Sequence, residues 1–180
     1  MKKITLPFFG TVETEYEKPS KDFIYGYSAD LWGDEFKFRE KPLDLHVHFT
    51  NLSEENIAMV ASTLNDLGKI IDIGQKLLEE DYYAGKTVKE DIEEWIEYHL
   101  DEEPFKNLVK KPITEDTPIE LLRLYRVVSI SIYALDKTKS DDYILMDYAF
   151  DYDQDSGCRD NVVAISLDKN YDLIEIITDG

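Results

Sequence analysis

Cysteine is almost absent from this chain: Cys158 is the only one among 180 residues, so no disulfide can close within it. A cross-linked framework is excluded as the source of stability, and a reducing compartment is the expectation. Cations are scarce as well. Lys and Arg number 20 against 39 Asp and Glu, which gives a formal charge of −19 and a pI near 4.4. Affinity for phosphate backbones and for anionic lipid comes largely from Lys and Arg, so neither nucleic acid nor a membrane surface is an expected partner, and a basic protein is favoured. Long hydrophobic runs are missing too: no stretch approaches the roughly 18 apolar residues that cross a bilayer. The first ten residues carry neither the apolar core nor the cleavage site of a signal peptide, and a cytoplasmic location follows as the expectation. No glycine-rich run follows a strand and opens a helix, so a phosphate-cradling loop is not expected.

What remains is a chain well able to fold. Hydrophobic residues make up 43% and aromatics 12%, with 12 Tyr and 8 Phe, far above what an acidic disordered tail carries. At this length a compact fold buries about 70% of the surface exposed by the unfolded chain, so a single domain spanning residues 1–180 is expected.

Residues 1–50 read as strands. Tyr25, Tyr27 and Trp32 stand among polar breaks, and Leu43, Leu45, Val47 and Phe49 alternate with Asp44, His46 and His48. Strict alternation marks a strand with one buried face, and it puts His46 and His48 together on the other. Gly10, Pro19, Gly26, Gly33 and Pro42 supply turn or strand-end signals. Helices are expected over about 53–124. Ser53 is placed to cap the first, whose Ile57, Val60, Leu64, Leu67, Ile71 and Leu78 form one stripe, with Gly68 and Gly74 predicting a kink or a close packing contact. Thr87 and Glu90 have capping-box spacing at the start of a second helix, in which Val88, Ile92, Trp95 and His99 make a narrow apolar side. Pro104 should end it, and Thr117, Pro118 and Glu120 open a short third. Strands return at Tyr125–Ala134, Tyr143–Tyr152, Val162–Leu167 and Leu173–Thr178, joined by links too short to hold crossover helices. The expected architecture is α+β, an antiparallel sheet built from the N-terminal strands and a C-terminal β-meander, with the helical segment packed on one face.

Glu90, Glu94, Glu97 and Asp101 recur at i, i+4, i+7 and i+11 of the second helix, with Glu93 beside them and no Lys or Arg interleaved. Like charges at that spacing destabilise an isolated helix by about 0.2–0.5 kcal/mol per pair. Asp101, Glu102 and Glu103 also crowd the helix C-terminus, where the macrodipole favours cations. A locally unfavourable ridge suits a surface that meets a basic partner; a solvated face of an acidic protein is the plainer alternative. The candidate contacts are Glu90, Glu93, Glu94, Glu97, Tyr98 and Asp101, with Asp151, Asp153 and Asp155 as a second patch.

Other constellations fall short of chemistry. Asp151, Asp153, Asp155 and Gly157 open like a calcium loop, but the sixth position is Ser156 and the twelfth Val162, where an EF-hand requires Gly and Glu. A polar hairpin end accounts for them more simply. His46 and His48, with His99 as a third ligand, have no cysteine cluster or His-Glu-x-x-His motif to support zinc. Cys158 adjoins Arg159, which would lower its pKa at close range, but nothing in the sequence links it to a base. Carboxylates are too numerous for a glycosidase pair to be argued from their presence. No catalytic residue, metal or cofactor is expected, and the oligomeric state is left open.

Two stretches are similar to a known group: Leu6-Pro7-Phe8-Phe9-Gly10 at the start, and Asp147-Tyr148-Ala149-Phe150-Asp151-Tyr152 followed by Val162-Val163-Ala164-Ile165-Ser166-Leu167-Asp168 near the end. Together they resemble a family of small acidic bacterial domains of unknown function, some members of which are thought to neutralise polymorphic or contact-dependent toxins. The resemblance implies an immunity role and carries over no catalytic residue. The functional expectation is therefore a non-enzymatic, acidic protein-binding module, an immunity-type inhibitor covering the active site of a basic toxin such as a nuclease. A nucleic-acid mimic or regulatory adaptor that occupies a basic groove on a host protein is the alternative, and an enzyme or calcium-binding module ranks below both.

Overall fold

The alternating run at the end of the N-terminal region builds a central strand, with Leu45, Val47 and Phe49 on its buried face. A computed structural model describes residues 2–14, 29–33, 36–99, 122, 125–134, 142–150 and 162–179. The strands are β1 (Lys2–Leu6), β2 (Gly10–Thr14), β3 (Ala29–Gly33), β4 (Lys37–Phe38), β5 (Lys41–Pro42) and β6 (Asp44–Phe49). Helices α1 (Glu54–Asn65), α2 (Leu67–Tyr83) and α3 (Thr87–His99) follow, then β7 (Tyr125–Ala134), β8 (Ile144–Phe150), β9 (Val162–Leu167) and β10 (Leu173–Asp179). The expected starts near Thr117 lie outside the described residues, apart from Leu122, which is buried.

One six-stranded sheet runs in the order β10-β9-β8-β7-β6-β3, beside two small hairpins, β1-β2 and β4-β5. The β7–β10 meander is antiparallel throughout, as the short polar links dictate. Where the N-terminal strands join it, however, β6 and β7 run parallel, Val47 facing Ile132. The wholly antiparallel sheet expected from the sequence is corrected at this one pair. A parallel return needs a crossover of a dozen or more residues, and the segment holding α1, α2 and α3 supplies it. Register then lines up Leu45, Ile130, Met146, Ile165 and Ile176 across five strands, a continuous apolar row under the helices. Burying each such side chain contributes about 1.5–3 kcal/mol.

The single long helix suggested by the stripe from Ile57 to Leu78 is two. Ser53 caps α1 as expected, its Oγ accepting from the Asn56 N–H at 3.1 Å. The chain then bends at Asp66, whose N–H donates to the Ser62 and Thr63 carbonyls (both 3.1 Å) while its own carbonyl accepts from Ile70 (3.0 Å). Both glycines downstream are packing positions. A Cβ on Gly68 would lie 3.5 Å from Phe38 Cζ, and one on Gly74 only 2.2 Å from Tyr148 Oη. The absence of a side chain at Gly74 is what lets α2 lie against β8.

Candidate partner-binding face

α3 is anchored by Val88 and Ile92, both fully buried. Its start differs from the expected capping box. The Lys86 carbonyl accepts from Glu90 N–H (3.2 Å), and the Val88 N–H is satisfied by Asp81 Oδ1 at 2.7 Å, from the end of α2. A carboxylate there also meets the positive end of the α3 dipole. With Val88 and Ile92 facing inward, the 100° step of the helix turns Glu90, Glu93 and Glu94 outward, and all three are exposed. No Lys or Arg is interleaved in the ridge, but Lys89, one residue before it, reaches Glu93 Oε1 with its Nζ at 3.7 Å along the helix. Such an exposed i,i+4 pair is worth about 0.3–0.5 kcal/mol, so it tempers the repulsion at Glu93 and leaves Glu90 and Glu94 facing each other.

The structure thus brings together Glu90, Glu93 and Glu94. The side chains of Glu97, Tyr98 and His99, and the whole of Asp101, Asp151, Asp153, Asp155 and Cys158, lie outside the described residues.

Within the acidic run one carboxylate faces the other way. Asp91 is 9% exposed and accepts a 2.7 Å hydrogen bond from the Tyr125 hydroxyl of β7. Burial raises the Asp91 pKa, the Tyr125 bond offsets part of that, and the negative charge of Glu94 adds to it. Burial, then the adjacent Asp91 charge, likewise pushes the Tyr125 phenol far up. Asp91 was missed in the sequence because it sits among four other acids; only its phase, three residues after Val88 and one before Ile92, separates it from them.

Apolar side chains are also exposed on the elements that α3 packs against, although Ile177, next to the helix-facing Ile176, points to the opposite face of the sheet. α3 packs on α2 and on β10, an edge strand of the sheet. β10 exposes Leu173, Ile174 and Ile177, each at 40–45%, and the end of α2 exposes Tyr83 at 69%. Tyr83 stands edge-on to buried Tyr82, ring centroids 5.5 Å apart. Burial raises the Tyr82 pKa, and the charge of Glu93 raises it further, so the Tyr82 ring lies within the field of the acidic helix.

The two β6 histidines are not the half-exposed pair that alternation predicts. His48 is buried and stacks on Tyr133, centroids 4.8 Å apart at 14°, while His46 is edge-on to His48 at 6.4 Å. Among the described residues, no group of three His, Cys, Asp or Glu side chains is placed to hold a metal ion, and no helix is long and apolar enough to cross a membrane. No family model matches the chain, and neither the curated proteins nor the solved structures compared with it give a match.

Proposed function

We propose that this chain is an acidic protein-binding module, an immunity-type inhibitor that docks over the basic active site of a toxin, most naturally a nuclease whose cleft holds phosphates. The observation that carries this reading is the outward display of Glu90, Glu93 and Glu94 on a helix fixed by Val88 and Ile92, in a molecule of net charge −19. Preorganised charge steers encounter, raising association from about 10⁵–10⁶ to as much as 10⁸–10⁹ M⁻¹s⁻¹ at low salt. Residence time then comes from apolar and aromatic anchors, and exposed Tyr83 at the end of α2, the helix that packs on α3, supplies one.

The test is neutralisation of the protein encoded by the adjacent reading frame. Equimolar wild-type chain should suppress that protein's nuclease activity, and Glu90→Lys with Glu94→Lys should relieve the suppression at least tenfold while the fold is retained. Full suppression by the doubly reversed variant would remove this face from the interface.

A further inference from the structure

β10 is the last strand of the sheet, and among the described residues no strand pairs with its other edge. In an antiparallel ladder the N–H and C=O of every second residue then face away from β9, a row able to accept a further strand. Natural sheets blunt such edges with Lys, with Pro or by keeping the strand short. β10 contains neither Lys nor Pro, runs for seven residues, and four of them are Leu or Ile. The opposite edge is blunter: β3 has five residues, with Asp30 inside it and Gly33 at its end.

The exposed side chains of β10 fit pairing at the edge better than cover on a face. Leu173 pairs with Leu167 and Ile177 with Ala164. Those partners are an odd number of residues apart in β9, so Leu173 lies on the helix side of the sheet and Ile177 on the other. A partner laid flat on one face covers one of them; a strand added beyond β10 flanks both. The edge is also fixed in place. In the turn before it the Asp168 N–H donates to the Asp172 carbonyl at 2.9 Å, and the Tyr171 hydroxyl donates to Asp66 Oδ2, at the α1–α2 bend, at 3.3 Å. Tyr171 stands at a φ of +69°, a left-handed conformation that strains a side chain, so the packing that holds it there also sets where β10 begins. Lys69 Nζ, 5.2 Å over the Tyr171 ring, adds to that packing.

We infer that β10 receives an extended segment of a basic protein as a further strand of the sheet, one in which apolar residues alternate with Lys or Arg. The apolar side of that segment continues the row Leu45, Ile130, Met146, Ile165 and Ile176 beyond the edge. Its cations lie on the other side, where Glu175, in register with Ser166, is exposed. Charge selects this occupant over a second copy, because two β10 strands in contact bring together two chains of −19 with no cation in either strand. The sign of the occupant rests on the basic partner proposed above; the open edge does not.

Titration of the full chain with the peptide Thr-Val-Lys-Val-Lys-Val-Thr, acetylated and amidated, tests this by two-dimensional NMR and amide exchange. Shifts should saturate and centre on residues 173–179, and alternate amides of β10 should exchange about tenfold more slowly or less once the peptide is bound. The same peptide N-methylated at its third and fourth residues keeps every charge but loses a donor on each edge, and should bind about tenfold more weakly. Glu in place of both Lys should weaken binding similarly, and Glu175→Lys, at an exposed position, should shift the preference about tenfold toward the Glu peptide. Unchanged exchange in β6–β8 shows that the variant is folded. Equal binding of the N-methylated peptide, shifts centred away from β10, or no saturable response overturns the inference. So does a dimer of the free chain that Ile177→Lys dissociates, since the edge then belongs to a second copy. Peptide binding without neutralisation of the neighbouring protein sinks the immunity role and leaves the edge site; neutralisation without peptide binding does the reverse.

Discussion

Gly74 and Gly68 lie in one helix and face opposite outcomes on gaining a methyl group. At Gly74 the new Cβ meets Tyr148 Oη at 2.2 Å and Met146 Cε at 2.6 Å, and both residues are fully buried with no room to retreat. Overpacking of this kind costs about 1–3 kcal/mol, which exceeds the roughly 1 kcal/mol that Ala gains over Gly in a helix. Gly74→Ala should therefore lower stability in a denaturant titration. Gly68→Ala, whose nearest neighbour would stand at an ordinary 3.5 Å, should raise it by up to about 1 kcal/mol. The sequence marks both glycines as points of kink or close approach; which of them touches the sheet depends on a strand some seventy residues away and is written nowhere locally. Asp91 supplies a second test. Its folded pKa is raised, so the native state binds its proton more readily than the unfolded chain does. The cost of ionising it is present in full above the raised value and disappears as pH falls to the ordinary 3.8. The stability difference between Asp91→Asn and wild type should thus shift in favour of wild type on acidification through that window. A difference that stays constant with pH would mean the carboxylate is not held in a desolvated site.

At the scale of elements, α3 depends on a cap that its own sequence does not contain. Asp81 belongs to α2, yet it satisfies the Val88 N–H. Asp81→Ala should cost about 1 kcal/mol, and amide exchange should speed first at Val88 and the adjoining turn. Unchanged exchange there would show the bond to be dispensable. This cap was illegible because Thr87 and Glu90 offer a local solution with the right spacing, and nothing short of the α2–α3 packing selects against it. The strands were far more legible. Tyr125–Ala134, Val162–Leu167 and the β8 and β10 segments emerge almost as expected, because β-branched runs between polar turns favour only extended backbone. What the runs do not encode is pairing. The parallel contact of β6 with β7 follows from where the helical crossover delivers the chain, while the edge position of β10, with Leu173, Ile174 and Ile177 exposed, follows from its place at the end of the meander.

For the whole molecule, the governing quantity is the surplus of carboxylates. Half of its site-level meaning was visible in the sequence: the periodicity of Glu90 and Glu94 places them outward, and the helix does so. The other half required tertiary structure, since the inward turn of Asp91 toward Tyr125 arises from packing, whereas the i,i+4 pairing of Lys89 with Glu93 is local to the helix. A surface that only keeps the molecule dissolved and a surface that recruits a cationic protein differ in kinetics before they differ in affinity. The decisive measurement is the association rate constant between this chain and the protein encoded beside it, followed as ionic strength rises from about 0.01 to 0.15 M, over which the Debye length shrinks from about 30 to 8 Å. The rate should fall steeply, and Glu90→Lys with Glu94→Lys should both slow it and flatten the slope. A rate indifferent to salt and to those reversals would contradict the account.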